Sequence, residues 1–253
     1  MDERYDMRLP SAVNAIDIFD DEWSSAFPTI NEGKPKFYDD PRLHFFERAS
    51  GGFSGKRILE LGPLEGAHSL MLQTRGAGSV VSIEANTRAY LKCLIIKNIY
   101  SLDKVNFILG DFGKYLSGSV NFDTCIACGV LYHMSDPVAL IEGMCRSSST
   151  VCIWTHYYDE EIIRGREDLR PRFGERETSN YRGVDVVTSA QTYIQEVLDW
   201  RGFCGGAERV TRWIERDSML AVFDALGFDV EVDQDEPLHP NGPAITFVAK
   251  KRT

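Results

Sequence analysis

The sequence predicts an α/β fold: a doubly wound, mostly parallel seven-stranded sheet closed by an antiparallel terminal hairpin. Three observations predict it. Short, apolar, β-branched runs at 57–61, 80–84 and 105–109 alternate with helix-length segments. Each run stops at a glycine or an acidic residue, as strands do when their carboxyl ends face a ligand. The last two runs, 228–232 and 244–250, flank a turn containing Pro240, Asn241, Gly242 and Pro243, and read as a hairpin.

Residues 1–50 read as an N-terminal extension. Ile16, Ile18, Phe19, Trp23 and Phe27 are apolar anchors without a clean period. Asp40 is placed to cap a helix with Pro41 at its first position, Leu43 and Phe46 on one face, and Gly51-Gly52 as its stop. The domain proper spans 51–253. Its first strand is Arg57–Leu61, followed by a helix over 66–73, a strand at 80–84 and a long helix over 88–100. The third strand is Val105–Leu109 and the fourth Phe122–Cys128. A helix over 137–146, capped by Asp136-Pro137, leads to a fifth strand at 150–155. Strand–helix alternation with short turns predicts parallel, doubly wound pairing. The rhythm breaks at 156–215. That insert is too long for a plain connection, and with residues 1–50 it is expected to form a cap. Inside it, 188–198 reads as a helix and 203–206 as a flexible break. A helix over 216–226, ended by Gly227, restores the alternation before the hairpin.

The strand ends carry the chemistry. Gly62 and Gly66 follow the first strand, with Pro63, Leu64 and Glu65 between them. Glu84, Ala85 and Asn86 end the second, Asp111 and Phe112 the third, and Cys128, Gly129 and Val130 the fourth. Glu84 can accept from two ribose hydroxyls, and Asp111 with Phe112 can bond and stack an adenine. This series resembles the class I S-adenosylmethionine-dependent methyltransferases. The matching pattern is Glu60-x-Gly62-x-x-x-Gly66, the acidic Glu84, Gly110-Asp111-Phe112, and the fourth strand running into Gly129-Val-Leu-Tyr132-His133. It covers about residues 55–156 and the terminal hairpin. The resemblance implies S-adenosyl-L-methionine as cofactor and S-adenosyl-L-homocysteine as product. It places Glu60, Gly62 to Gly66, Glu84 to Asn86, Asp111, Phe112 and Cys128 to Val130 around the donor. Glu65 would meet the donor's amino group and His68 its carboxylate. The chain departs from the family where a middle glycine is usual: Leu64 stands there, beside Pro63. A dinucleotide-binding fold needs Gly-x-Gly-x-x-Gly, a spacing that Gly62 and Gly66 do not meet.

Methyl transfer from a sulfonium needs alignment, exclusion of water and, for a protonated acceptor, a base. His133 and His156 are the candidates, with Tyr132 beside them; Trp154, Tyr157 and Tyr158 read as walls. The expected acceptor is a small molecule. The Gly-Val-Leu-Tyr-His run also resembles one in enzymes that alkylate the wobble uridine of tRNA, and a non-catalytic nucleoside-binding protein is a further alternative. The net charge of −10 argues against a nucleic-acid partner. Six arginines between 164 and 182 interleave with Asp and Glu, as on a salt-bridged surface or, alternatively, an anion-binding lid. Six scattered cysteines read as reduced, buried thiols of a cytoplasmic protein. Cys125 and Cys128 fall on opposite faces of a strand, which leaves no metal set among them. No run approaches a membrane span, and the acidic start lacks the apolar stretch of a secretory signal. An oligomer is compatible with this composition.

Overall fold

The structure, a computed structural model, describes residues 5–28, 39–200, 202–203, 205–206 and 208–253. The expected break at 203–206 therefore includes one residue, Cys204, outside the described set, as do residues 1–4 and 29–38 of the N-terminal extension.

The N-terminal segment carries α1 (Ala12–Ile16) and α2 (Pro41–Ser50). Asp40 caps α2 by accepting the Arg42 N–H at 2.9 Å, and Gly51 closes it at φ 78°. The main unit follows as β1 (Arg57–Leu61), α3 (Ala67–Thr74), β2 (Ser79–Glu84), α4 (Thr87–Ile99), β3 (Val105–Leu109), α5 (Phe112–Leu116), β4 (Phe122–Cys128), α6 (Pro137–Ser147) and β5 (Ser148–His156). Side-chain caps start the helices that leave the sheet: Asn86 accepts from the Arg88 and Ala89 N–H groups of α4, and Asp136 from the Ala139 N–H of α6. The insert holds α7 (Glu160–Arg164), β6 (Phe173–Tyr181), β7 (Val184–Thr192), α8 (Gln195–Leu198) and β8 (Val210–Ile214). It returns through α9 (Arg216–Ala225), β9 (Phe228–Glu236) and β10 (Ala244–Lys251).

The seven-stranded sheet has the order β3-β2-β1-β4-β5-β10-β9, parallel except for β10, which runs antiparallel to both neighbours. Both faces are covered, so successive residues of one strand enter different cores. Cys125 and Ala127 pack with α6 and α9, whereas Ile126 packs with α2, α3 and α4. Cys125 and Cys128 indeed face opposite sides. No helix among the described residues is long and apolar enough to cross a membrane.

The expected helix over 188–198 is a correction. Its first five residues, 188–192, belong to β7, paired antiparallel with β6 and β8 in a separate three-stranded sheet, and one helical turn survives as α8. Val186, Thr188, Ser189 and Gln191 are buried there. Two-sided pairing and β-branched Val186, Val187 and Thr188 outweigh the helical pattern of 191–198. Four of the six arginines at 164–182 pair with carboxylates: Arg164 with Glu160, Arg166 with Asp168, Arg176 with Glu215 and Arg182 with Glu142.

Candidate functional site

Strand order reverses between β1 and β4, and the crevice opens there, at the carboxyl ends of the parallel strands. A cavity of about 760 Å³ occupies it. Gly62, Pro63 and Leu64 line it from β1. Glu84, Ala85 and Asn86 line it from β2, Asp111 and Phe112 from β3. Cys128, Gly129, Val130, Tyr132 and His133 line it from β4, and Trp154 and His156 from β5. The sequence thus named most of the sheet-edge lining.

The β1 turn is held tightly. Leu64 adopts φ 55°, a left-handed conformation that glycine takes more readily, which explains why its position is a departure from the resembled pattern. Its N–H donates to Glu84 Oε2 at 3.0 Å, while Glu84 Oε1 accepts from Asn86 at 2.8 Å. Gly62 has φ 65°, and a Cβ there would stand 3.0 Å from Val130 Cγ2, so a side chain would crowd Val130 and strain the turn. Burial raises the Glu84 pKa, against the opposing pull of the Asn86 and Leu64 N–H groups. Asp111 caps α5 with one oxygen, accepting from Gly113 and Lys114.

Several expected site residues do something else. Glu65 is not at the cavity. Its carboxylate accepts from the Ser24 and Ser25 N–H groups and pairs with buried Lys92 at 3.0 Å, which pins the N-terminal segment to α3 and α4. Those contacts occupy the group that the sequence reading aimed at the donor. Glu60 lies behind the turn, fully buried, bonded to Ser69 and Ser82, with Oε1 lacking a partner among the described residues. Burial raises its pKa. Gly66 caps α3 beneath the loop, outside the lining. Tyr157 and Tyr158 turn away from the cavity, donating to Asp235 and Glu160.

His133 and His156 are both at the cavity and both held neutral. The His156 Nδ1–H donates to the carbonyls of Gly242 (2.9 Å) and Pro243 (3.2 Å), so Nε2 is its unprotonated nitrogen. Its ring stacks on Trp213, centroids 5.1 Å apart and 5° from parallel. Burial pulls its pKa down to about 4, and His239 adds to the shift against the two carbonyls. His133 shares its Nδ1 with the hydroxyl of Tyr193, from the insert; burial, then His156, pulls it down to about 3. Tyr132 packs edge-on against Trp154, His156 and Trp213.

Other lining residues come from outside the parallel strands. Ser25 and Arg42 belong to the N-terminal segment, Phe203, Gly206 and Glu208 to the insert, and Asn241 to the β9–β10 turn. Sequence spacing cannot bring these distant segments together. The sequence marked Asp40-Pro-Arg42 as a helix start, 203–206 as a break and 240–243 as a turn, but none of them as cavity lining. Arg42 lies over the Trp154 ring at 4.6 Å and bonds the buried Asp40 carboxylate, which also accepts from His68. Burial alone would raise the Asp40 pKa; His68 and Arg42 outweigh it and hold it well below the usual range. The ligand atoms of Asp40, His68 and Cys128 lie within 4.8 Å of one another. The set suits a metal poorly, because the Arg42 guanidinium already neutralises Asp40 and burial pushes the Cys128 thiol up to about 12.

No family model matches the chain. It is similar to the tRNA U34 carboxymethyltransferases of Campylobacter hominis (24% identity over 79% of this chain) and Campylobacter concisus (20% over 68%). The alignments span 67% and 61% of those relatives' lengths. Among solved structures it resembles the N-terminal domain of EvdMO1 with SAH bound, at a TM-score of 0.71 and 22% identity over 95% of both chains. The same domain in the presence of SAH and D-fucose matches at 0.70 over 96% of this chain and 95% of that one. An S-adenosylmethionine-dependent methyltransferase structure from Listeria monocytogenes matches at 0.57 and 13% identity, over 84% and 98%. The chain has the fold of these methyltransferases.

Proposed function

We propose that the chain is an S-adenosylmethionine-dependent methyltransferase that methylates a hydroxyl of a small, polyhydroxylated acceptor. The observation that carries the reading is the cavity at the switch point. It places an acidic strand end, Glu84, and a neutral histidine with a free lone pair, His156, in the same space. Its volume, about 760 Å³, suits a nucleoside together with a small partner.

The residues fit the donor. Gly62 and Gly129 keep two strand ends bare: a Cβ on Gly129 would stand 3.6 Å from Trp154 and 3.8 Å from the Tyr132 hydroxyl. Glu84 has lone pairs beyond those used by Leu64 and Asn86, and these accept from the ribose hydroxyls. Asp111 and Phe112 bound the adenine end. Arg42 and His68 face the carboxylate of the amino-acid end. When bound, the donor supplies a methyl group on a sulfonium, which makes it ready to leave. The chain's part is to align the acceptor, exclude water and take one proton. His156 Nε2 accepts the acceptor's proton while its Nδ1–H stays on the Gly242 carbonyl, so the developing imidazolium is already hydrogen-bonded. Tyr132 and Trp154 give the acceptor an apolar face. The N-terminal segment and the insert cap the cavity, and the Tyr193 hydroxyl orients His133.

The structural likeness to a domain crystallised with SAH and D-fucose supports a sugar-like acceptor. The names of the Campylobacter relatives favour a second reading, modification of tRNA. Against it stand the net charge of −10 and the pairing of the insert's arginines. Calorimetry with S-adenosylhomocysteine, followed by transfer of labelled methyl to pyranosides or to tRNA, tests both. Donor binding with transfer to neither acceptor class would leave the non-catalytic alternative standing, and absence of donor binding would overturn the proposal.

A further inference from the structure

The β9–β10 turn, residues 237–243, is held from several sides, more firmly than a hairpin connection requires. Arg166 of the insert donates to the Pro240 carbonyl at 2.6 Å and to the His239 carbonyl at 3.5 Å, with its guanidinium fixed by Asp168. The Tyr157 N–H donates to the Pro243 carbonyl at 2.9 Å. Gly242 sits at φ 114°, and a Cβ there would stand 2.9 Å from the Trp213 ring. The Asn241 N–H donates to His239 Nδ1 at 3.2 Å. That ring lies 5.1 Å from His156 and 5.9 Å from Trp154, centroid to centroid.

All these contacts fix one position. Asn241 lines the same cavity as Trp154 and His156, and the next residue, Gly242, supplies the carbonyl that sets the His156 tautomer. A carboxamide presents a donor and an acceptor side by side, the complement of a hydroxyl that both gives and takes a hydrogen bond. We infer that this turn reads the acceptor: the Asn241 carboxamide binds the hydroxyl next to the one deprotonated at His156, so the enzyme selects vicinal diols. The inference rests on the proposed methyltransferase reading and deepens it. The turn couples recognition to chemistry, because the segment that places Asn241 also orients the base.

The test uses the whole protein saturated with S-adenosylhomocysteine. Methyl hexopyranosides and their monodeoxy analogues are titrated by saturation-transfer NMR. Asn241→Ala should weaken a pyranoside that binds the wild type roughly tenfold, the scale of one hydrogen bond, without changing affinity for S-adenosylhomocysteine. Removing the neighbouring hydroxyl should cost the same, and combining the two changes should cost no more than either alone. Arg166→Ala, outside the cavity, loosens the turn and should weaken the pyranoside while sparing the donor product. Equal pyranoside affinity in wild type and Asn241→Ala, or additive losses, overturns the inference. So does a wild type that binds S-adenosylhomocysteine but none of the pyranosides. A wild type that fails to bind S-adenosylhomocysteine defeats the donor reading itself.

Discussion

Replacing Glu84 by Gln tests the donor half of the site with the smallest change of shape. The Glu84 carboxylate accepts the Leu64 N–H at 3.0 Å and the Asn86 N–H at 2.8 Å, and it lines the cavity. Glutamine keeps one acceptor oxygen. Its NH2 must oppose one of those two backbone N–H groups or turn into the cavity, where the ribose hydroxyls need an acceptor. Losing hydrogen bonds to a charged group costs about 1.5–3 kcal/mol. Affinity for S-adenosylhomocysteine should therefore fall roughly 10- to 150-fold by titration calorimetry. Stability should move less. Burial disfavours the charged carboxylate, and a neutral amide removes that cost while it loses one backbone bond. The sign of the pH effect follows. With the folded pKa raised, the carboxylate is protonated first as pH falls, so wild-type donor binding should weaken as pH falls through that raised value. The Gln variant should lack this dependence. The 2′-deoxy donor product should separate wild type from variant less than the natural one does. Affinity within twofold of wild type would refute the ribose role of Glu84.

Lys92→Met strands the buried Glu65 carboxylate, and breaking such a pair costs about 3–5 kcal/mol, or roughly 6–20 °C of melting temperature for a chain of this size. The melt should drop by that amount and proteolysis should enter near Ser24; a shift under ~2 °C would show the clasp to be idle. His156, whose folded pKa of about 4 lies below the ordinary 6.5, binds protons more readily when the chain is unfolded. Stability is therefore full above pH 6.5 and falls as pH drops toward 4, by up to ~3 kcal/mol. His156→Gln should reduce that slope in melts between pH 8 and 5, leaving the part that His133 contributes, and an unchanged slope would contradict the neutral, buried assignment. At the adenine end, S-inosylhomocysteine, which lacks the exocyclic amine, should bind about 1–2 kcal/mol more weakly than S-adenosylhomocysteine if Asp111 accepts from that amine. Equal affinities would remove Asp111 from the base site.

The parallel sheet was legible because each strand is a local object. Arg57–Leu61, Val105–Leu109 and Phe122–Cys128 match their expected spans, and the expected caps at Asp40 and Asp136 act through bonds to residues two or three positions away. Site residues at strand ends inherited that legibility. Glu65 and Glu60 did not, since sequence gives a carboxylate's type but not its partner. Glu65 is claimed by Ser24 and Ser25, some 40 positions upstream, and Glu60 by Ser69 and Ser82. The second sheet escaped for a related reason. Residues 173–181 are mostly exposed and polar, with no apolar alternation to betray a strand, and pairing alone makes them one.

The cavity divides along the same line. One half is made by strand ends and turns of the parallel sheet, whose geometry the sheet imposes. Its other half is assembled from segments far apart in sequence: Arg42 near the start, Phe203 and Glu208 in the insert, Asn241 in the last turn. Cross-links join the halves at identifiable points. The Asn86 side chain donates to the Phe203 carbonyl at 3.0 Å while its own oxygen caps α4 beside Glu84. His133 meets Tyr193, and His156 meets Gly242. Each of these contacts ties a sheet-edge residue to a peripheral segment, so movement of the insert or the turn is felt at both histidines.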